Sequence, residues 1–357
     1  MANILDYIEW RGDLSMSVDE FNDIDNLILS QLSYLNFEGI IPGEEGGSIL
    51  LREAARKYLS DADETRTYTG LLVSPQTVTL LKKAAESARF SGIKLSKYVN
   101  KINEEEQKQF SAVTCLLEDN TVYVAYRGTD DTIVGWKEDF NMSFISPVPS
   151  QTEAVEYLEK TQRRTYRKIR IGGHSKGGNL AVYASAFCNK NIQRRIIGIY
   201  NNDGPGFELS TIEKEGFRNI ISVVKTIVPQ SSIVGMLLEH EEDYVVIQST
   251  QTGIFQHDAF SWQLVGRHFI ELDSTDARSR RIDKAIKTWL NSLEKEEIER
   301  FVDELFNLIT ATGAKTLTDL TKDRGKNIGA LLKALSDMDE TTHKNLAHIL
   351  KKLFIQK

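Results

Sequence analysis

The rhythm of apolar and polar positions changes twice along the chain. Residues 17–38, SVDEFNDIDNLILSQLSYLNFE, repeat at helical spacing. Ile24, Leu27, Ile28, Gln31, Leu32 and Leu35 share one mostly apolar face, and Ser17 with Glu20 three residues later reads as a capping pair. Segments 47–60 and 76–91 also read as helix. The first hundred residues are thus expected to be mainly helical, packing on or capping whatever follows.

From about residue 110 the period shortens to two. FSAVTCLLE and TVYVAYRG read as strands joined by a turn at Asp119-Asn120. A helix is expected at 151–164, a short strand at 167–172, a glycine-rich turn, and a helix at 177–188. RRIIGIYNND, ISVVKTIVP and EDYVVIQST read as further strands. Strands alternating with helices imply crossover connections, hence an α/β fold with a mostly parallel central sheet flanked by helices. Ligands in such sheets bind at the carboxyl ends of the strands. Beyond about 277 the pattern is helical again, over 283–312 and in two shorter stretches within 327–354, with Asp337 or Asp339 and Thr341 as caps. The expected division is a helical N-terminal region over 1–105, a core over 106–275 and a helical C-terminal extension over 276–357, the last a packing or partner-binding module.

Composition narrows the function. The chain has 357 residues, 41% of them hydrophobic, enough to bury a large core. Its 51 acidic and 44 basic residues leave a net charge of −7, which weighs against a nucleic-acid partner, since that needs a positive footprint. Cys115 and Cys188 stand far apart in apolar company and read as buried, reduced thiols. They are too few and too widely spaced for a structural zinc site. The opening MANILDYIEWRGDL lacks the basic and apolar segments of a signal peptide, and no apolar run is long enough to cross a membrane. A cytoplasmic location is expected.

One pentapeptide carries chemistry. Gly173-His174-Ser175-Lys176-Gly177 is a G-x-S-x-G segment between a predicted strand and a predicted helix. That context is the nucleophile elbow of an α/β-hydrolase: a turn so tight that the serine takes strained backbone angles and stands clear of the sheet. The N–H of Lys176 then lies beside the nucleophile at a helix N-terminus, suited to an oxyanion. A second oxyanion donor should come from the loop after an earlier strand, where Tyr126-Arg127-Gly128-Thr129-Asp130-Asp131 places Thr129, with its backbone N–H and its hydroxyl. An ordinary strand-ending turn is the competing reading of that segment.

Six histidines compete for the role of base: His174, His240, His257, His268, His343 and His348. His174 is inside the elbow, and its side chain should point away from the serine. His343 and His348 fall on the terminal helices, and His240 looks like an exposed helix end. His257, on a loop after the strand EDYVVIQST, is the choice, with His268 in reserve. Between Ser175 and His257 the candidate acids include Asp203, Glu208, Glu239 and Asp243. Asp203 ends a strand one step beyond the nucleophile and opens the turn Asp203-Gly204-Pro205-Gly206, where it could equally bond its own turn.

Ala125-Tyr126-Arg127-Gly128-Thr129, Gly135-Trp136 with Asp139, and Gly173-His174-Ser175-Lys176-Gly177-Gly178 together resemble the class 3 lipases. The likeness spans roughly residues 110–265. It implies an oxyanion role for Thr129 and the nucleophile role for Ser175. A bacterial α/β-hydrolase family of unassigned function is more similar still, in the segments KQFSA, RGTDD, GWKEDFN, GGHSKGGN, NNDGPGF, PQSSIVG and QHD. One departure stands out. Class 3 lipases place their acid one strand later, where this chain reads Thr226-Ile227-Val228-Pro229-Gln230-Ser231-Ser232 and has no carboxylate. Either the acid is Asp203, or Ser232 orients the histidine weakly, or catalysis has been lost. The expected reaction is cleavage of a small-molecule acyl ester, thioester or lipid through an acyl-enzyme, with neither metal nor organic cofactor. The apolar stretch Ile233–Leu238 reads either as the lining of an acyl pocket or, the more frequent use of such a run, as a helix packed in the core. Acyl transfer to a thiol or amine, and a non-catalytic binding module on the same scaffold, are the alternatives.

Overall fold

Strand β4 (Val122–Tyr126) is buried throughout, and its alternate side chains enter two different cores. Tyr123 and Ala125 face one, while Val122, Val124 and Tyr126 face the other, as the two-residue period of a strand between two helical layers requires. A computed structural model describes residues 2–60, 73–142, 144–162, 167–275, 295–322 and 344. Among these residues, nine strands form one sheet. In chain order they are β1 (Ile49–Leu50), β2 (Lys94–Asn103), β3 (Lys108–Leu116), β4, β5 (Ile169–His174), β6 (Ile196–Asn202), β7 (Val224–Pro229), β8 (Tyr244–Ile247) and β11 (Glu271–Leu272). The short strands β9 (Leu264–Val265) and β10 (His268–Phe269) form a separate ribbon.

The sheet corrects the expectation of mostly parallel pairing. β4 through β8 run parallel, but β1 to β4 pair antiparallel, as do β8 and β11. The sheet is mixed, with its parallel half around β5. β2 also corrects the reading of the first hundred residues as mainly helix. Its register shifts between Ser96 and Val99, and Lys97 takes a φ of +57°. Leu95 and Tyr98 therefore both turn inward at a spacing of three, and a bulge of this kind hides the period of two.

One face of the sheet carries α1 (Ile4–Arg11), α2 (Asp23–Leu32), α3 (Leu51–Ser60) and α4 (Gln76–Glu86). The predicted long helix over 17–38 shrinks to α2. Asn22 caps it, accepting from the N–H of Ile24 at 2.9 Å, while Asp25 accepts from the N–H of Asn22 at 2.9 Å. Ser17 instead bonds Ser15 and Glu118. α2 packs on β4, β5 and β6, and even its polar Asp25, Asn26, Ser30 and Gln31 are buried. Asp25 is held by Arg89 and by the Tyr7 hydroxyl, and Asn26 reaches Asn202 at 2.9 Å.

Helix α5 (Ile133–Asn141) follows β4, and α6 (Pro149–Gln162) and α7 (Lys176–Phe187) cover the sheet's other face. α7 is buried nearly all round because it lies between the sheet and α6, which explains why its sequence is apolar on every side. A third cluster joins α5 to α8 (Lys295–Thr310) through Ile133, Phe301, Val302 and Phe306. α9 (Leu317–Lys322) follows. Both cysteines are buried and free, with burial pushing each thiol up to about 12. No helix among the described residues is long and apolar enough to cross a membrane. His343, His348, the start of the helix expected over 283–312 and, residue 344 apart, the helices expected within 327–354 lie outside the described residues.

Candidate active site

The G-x-S-x-G segment forms the strand-to-helix turn its spacing implies. β5 ends at His174, α7 begins at Lys176, and Ser175 between them has φ +58° and ψ −134°. Such angles are costly for a residue with a Cβ, by about 1–3 kcal/mol. They persist because the turn is clamped: the Ser175 N–H donates to Asn202 O at 2.9 Å, and Ser175 O accepts from Gly178 N at 2.9 Å. Gly173 and Gly177 are required by close approach rather than by their own angles. A Cβ on Gly173 would lie 2.3 Å from Gly177 C, and one on Gly177 would lie 2.2 Å from Tyr126 O.

β6 delivers Asp203 beside this turn. Its backbone also has positive φ, +54°, and its N–H donates to Ile227 O at 2.8 Å. The carboxylate is buried and doubly engaged. Oδ2 meets His257 Nδ1 at 2.7 Å, and Oδ1 accepts from Ser232 Oγ at 2.5 Å. Gly235 packs directly on it, since a Cβ there would sit 2.3 Å from Oδ1. Ser232, the other residue weighed for that place, bonds to Asp203 itself. The stretch Ile233–Leu238 is a half-buried turn built around that contact.

His257 ends the short turn Gly253–His257 after β8. The preceding Gln256 anchors that turn three ways. Its Oε1 accepts from Ser231 N at 2.7 Å, its Nε2 donates to Gln251 O at 2.7 Å, and its carbonyl accepts from the indole of Trp262 at 2.8 Å. Asp258 is occupied in capping the next turn through Phe260 N, and burial raises its carboxyl above the usual range. Of the other histidines, His268 is exposed on β10. His240 corrects the expected exposed helix end: it is largely buried and lies outside any helix, with Nδ1 3.1 Å from Glu242.

The loop after β4 is built residue by residue. Arg127 bonds Asp130 at 2.8 Å and Asn100 at 3.0 Å, and Asp130 in turn accepts from the N–H and hydroxyl of Thr132, which caps α5. Thr129 is buried, and its hydroxyl donates to Asp139 Oδ2 at 2.5 Å. Burial raises the Asp139 carboxyl to about 6, against the opposing pull of Lys176. The Lys176 ammonium is itself buried, 2.9 Å from Glu138 Oε2, 3.0 Å from Gln109 O and 3.8 Å from Asp139 Oδ1. Glu138 also accepts from the N–H groups of Gln109 and Ser150, at 3.0 and 2.8 Å.

The structure brings Ser175, Asp203 and His257 to neighbouring loops at one end of the sheet, with Lys176 opening α7 and Thr129 on the turn before α5. Sequence reasoning missed the Lys176–Glu138 pair. A lysine beside Ser175 in an otherwise apolar helix start, with a glutamate in GWKEDF, was the available signal. It also missed the bonds of His174, whose Nε2 lies 2.8 Å from His257 O and whose Nδ1 lies 3.0 Å from the Tyr34 hydroxyl.

Among solved structures the chain is similar to a deletion mutant of the Rhizomucor miehei lipase propeptide complex, at 15% identity and a TM-score of 0.37, covering 54% of this chain and 71% of that one. It is similar to M37 lipase at 15% identity and a TM-score of 0.36, covering 59% and 68%. A mutant form of MDLA from Penicillium cyclopium matches at 11% identity and a TM-score of 0.39, covering 71% and 87%. No curated protein matches. The Mbeg1-like family model matches residues 84–307, from the end of α4 through β2 to β8 and most of α8, and the chain belongs to the Mbeg1-like family.

Proposed function

We propose that this protein is a serine hydrolase that cleaves a carboxylic ester or thioester through an acyl-enzyme on Ser175. The observation that carries the reading is the 2.7 Å bond between His257 Nδ1 and the buried Asp203 carboxylate, next to a serine held at φ +58°. With Nδ1 committed to the carboxylate, Nε2 is the nitrogen available to take a proton. His257 removes the Ser175 hydroxyl proton as Oγ attacks the carbonyl carbon. Asp203 holds the tautomer and stabilises the imidazolium that forms. His257 then gives the proton to the leaving oxygen or sulfur, and water, activated by the same ring, releases the acid.

The backbone N–H groups of Lys176 and Thr129 are the oxyanion donors in this mechanism. Lys176 opens a twelve-residue helix, whose N-terminus favours negative charge. The Thr129 hydroxyl is committed to Asp139, which leaves the backbone N–H as the donor at that position. Apolar Ile254 and Phe255, 60% and 72% exposed on the turn that carries His257, support a substrate with an apolar acyl part, a lipid included.

The test is a fluorophosphonate probe on the full chain, followed by hydrolysis of nitrophenyl esters of increasing acyl length. Ser175 labels, Ser175→Ala does not, and turnover follows labelling. A folded wild type that neither labels nor hydrolyses any ester removes the enzymatic reading and leaves a binding module.

A further inference from the structure

We infer that Tyr34 and His174 are positioning residues for the proposed reaction, in which the His174 Nε2–H holds the backbone of the base, His257, and the Tyr34 hydroxyl steadies the same ring at Nδ1. The inference rests on the hydrolase reading above and deepens it.

The direction of each bond follows from the chemistry of the partners. His174 Nε2 lies 2.8 Å from His257 O, and a carbonyl only accepts, so Nε2 carries the proton. Burial, and the neighbouring His257, hold the His174 ring well below its usual titration range, so it is neutral and its Nδ1 is an acceptor. The Tyr34 hydroxyl, 3.0 Å from Nδ1, is then the donor. The same hydroxyl proton is shared with His174 O, an acceptor 3.2 Å away. The two imidazole rings lie close, with centroids 4.5 Å apart.

The consequence is a second anchor for the base. Asp203 fixes His257 through its ring, and His174 fixes it through its own main chain. His174 immediately precedes Ser175, so the nucleophile turn and the base turn are tied together at their nearest residues. Tyr34 adds a third contact. A Cβ on Gly128 would sit 2.1 Å from the Tyr34 hydroxyl and 2.5 Å from His174 O. The hydroxyl therefore wedges against the turn that carries Thr129 as well as against the elbow. Tyr34 follows α2, before residue 84, where the family match begins. The N-terminal region in this reading underpins the site from below the sheet's carboxyl end instead of acting only as a cover.

Tyr34→Phe, His174→Gln and His174→Leu, compared with wild type and Ser175→Ala, test this in the full chain. The readouts are the inactivation rate constant and the half-saturating concentration of the fluorophosphonate, taken with the melting temperature. For Tyr34→Phe the rate constant falls about tenfold while half-saturation stays within about twofold, because alignment is lost and binding is not. His174→Leu loses more, about a hundredfold, and His174→Gln, which keeps an N–H for the His257 carbonyl, recovers most of that. If His174→Leu does not fold, Tyr34→Phe and His174→Gln carry the comparison. Nitrogen-15 spectra of the imidazoles provide a readout without substrate: wild-type His174 shows a protonated Nε2 and an Nδ1 shifted by an accepted hydrogen bond, and Tyr34→Phe keeps the tautomer but loses that shift at Nδ1. A wild type that labels, beside a Tyr34→Phe that labels at the same rate, overturns this inference alone. So does equal loss in His174→Gln and His174→Leu, which marks a packing role. A wild type that fails to label removes the hydrolase reading and this inference with it.

Discussion

Ser232 donates to Asp203 Oδ1 at 2.5 Å while His257 holds the opposite oxygen, so the serine acts on the carboxylate and the carboxylate acts on the histidine. The two residues that looked like alternatives in the sequence are arranged in series. Their substitutions should therefore differ in scale. Asp203→Asn removes the charge that stabilises an imidazolium and disturbs its tautomer, lowering the rate of fluorophosphonate labelling by about 10³–10⁴-fold. Ser232→Ala removes one hydrogen bond to that carboxylate and lowers it by about tenfold. The comparison is made on labelling rate constants at one pH. A Ser232→Ala variant as impaired as Asp203→Asn would place the serine, not the aspartate, next to the histidine's function.

The backbone of Ser175 predicts a trade of stability for chemistry. At φ +58° and ψ −134° a glycine is at ease, whereas any residue with a Cβ is strained. Ser175→Gly should raise the unfolding free energy by about 1 kcal/mol, the relief of strain exceeding the entropy lost by glycine. Ser175→Ala should not raise it, because the Cβ remains. Both variants lose all labelling. Urea denaturation of the three proteins separates the cases, and a stabilised Ser175→Ala would deny the strain argument.

The Lys176–Glu138 pair is buried on both sides, with side chains 1% and 0% exposed. Removing one partner from such a pair leaves an uncompensated charge in the interior and typically costs about 3–5 kcal/mol. Lys176→Met should be destabilised on that scale, with α7 and α5 loosening together. The double variant Lys176→Met/Glu138→Gln should recover part of the loss. Gln removes the orphaned charge and keeps one oxygen, enough for one of the two N–H groups, of Gln109 and Ser150, that the two carboxylate oxygens of Glu138 accept from separately. Denaturant titration of the single and double variants gives the coupling directly.

Asp139 sets a pH dependence. Burial raises its carboxyl to about 6, above its ordinary 3.8. Between those values the folded chain holds more protons at this position than the unfolded chain, so its contribution to stability is full below the ordinary value and is lost as pH rises through about 6. Asp139→Asn does not titrate, so its melting temperature should gain on the wild type as pH rises from about 4 to about 6 and hold level above that. Labelling should move the other way. The ionised carboxylate is the stronger acceptor for the Thr129 hydroxyl, so Asp139→Asn should label about tenfold more slowly at alkaline pH, with a smaller deficit in acid. A pH-independent difference in melting temperature would contradict the assignment.

The elbow was legible in the sequence because its constraints are local. Glycines two residues either side of Ser175 and an apolar run on each flank specify one turn. The position of His257, on a turn after the last parallel strand, β8, was legible for a similar reason. β2 was not, because the bulge at Ser96–Val99 resets the alternation that marks a strand. The start of α2 was misplaced because Ser17 and Asn22 are both good caps, and Asn22 wins through its reciprocal bond with Asp25. Contacts such as Tyr34 with His174, or Ser232 with Asp203, join residues far apart along the chain. No spacing rule announces such pairs, since they exist only once the sheet has set the loops side by side.

The C-terminal segment bears on the site through α5. Phe306 on α8 packs edge-on against Phe140 at 5.7 Å between ring centroids, and Lys137 pairs with Asp303 at 2.7 Å. The turn before α5 is held as well: Ile133 N donates to Lys315 O, and Leu317 N donates to Asp131 O, both at 3.0 Å. Asp131 and Ile133 sit between Thr129 and Asp139, so this clamp holds the segment assigned to the oxyanion. Phe306→Ala should cost about 3 kcal/mol if α8 is coupled to the whole fold, and less if only α5 and α8 part. The second outcome is expected, because this cluster is separate from the two cores against the sheet. Hydrogen exchange should then show protection lost across α5 while β5 and β6 keep theirs, and fluorophosphonate labelling should slow in proportion. Unchanged exchange in α5, with α8 alone released, would show that the oxyanion turn is set by β4 and Asp139 without help from the C-terminal helices.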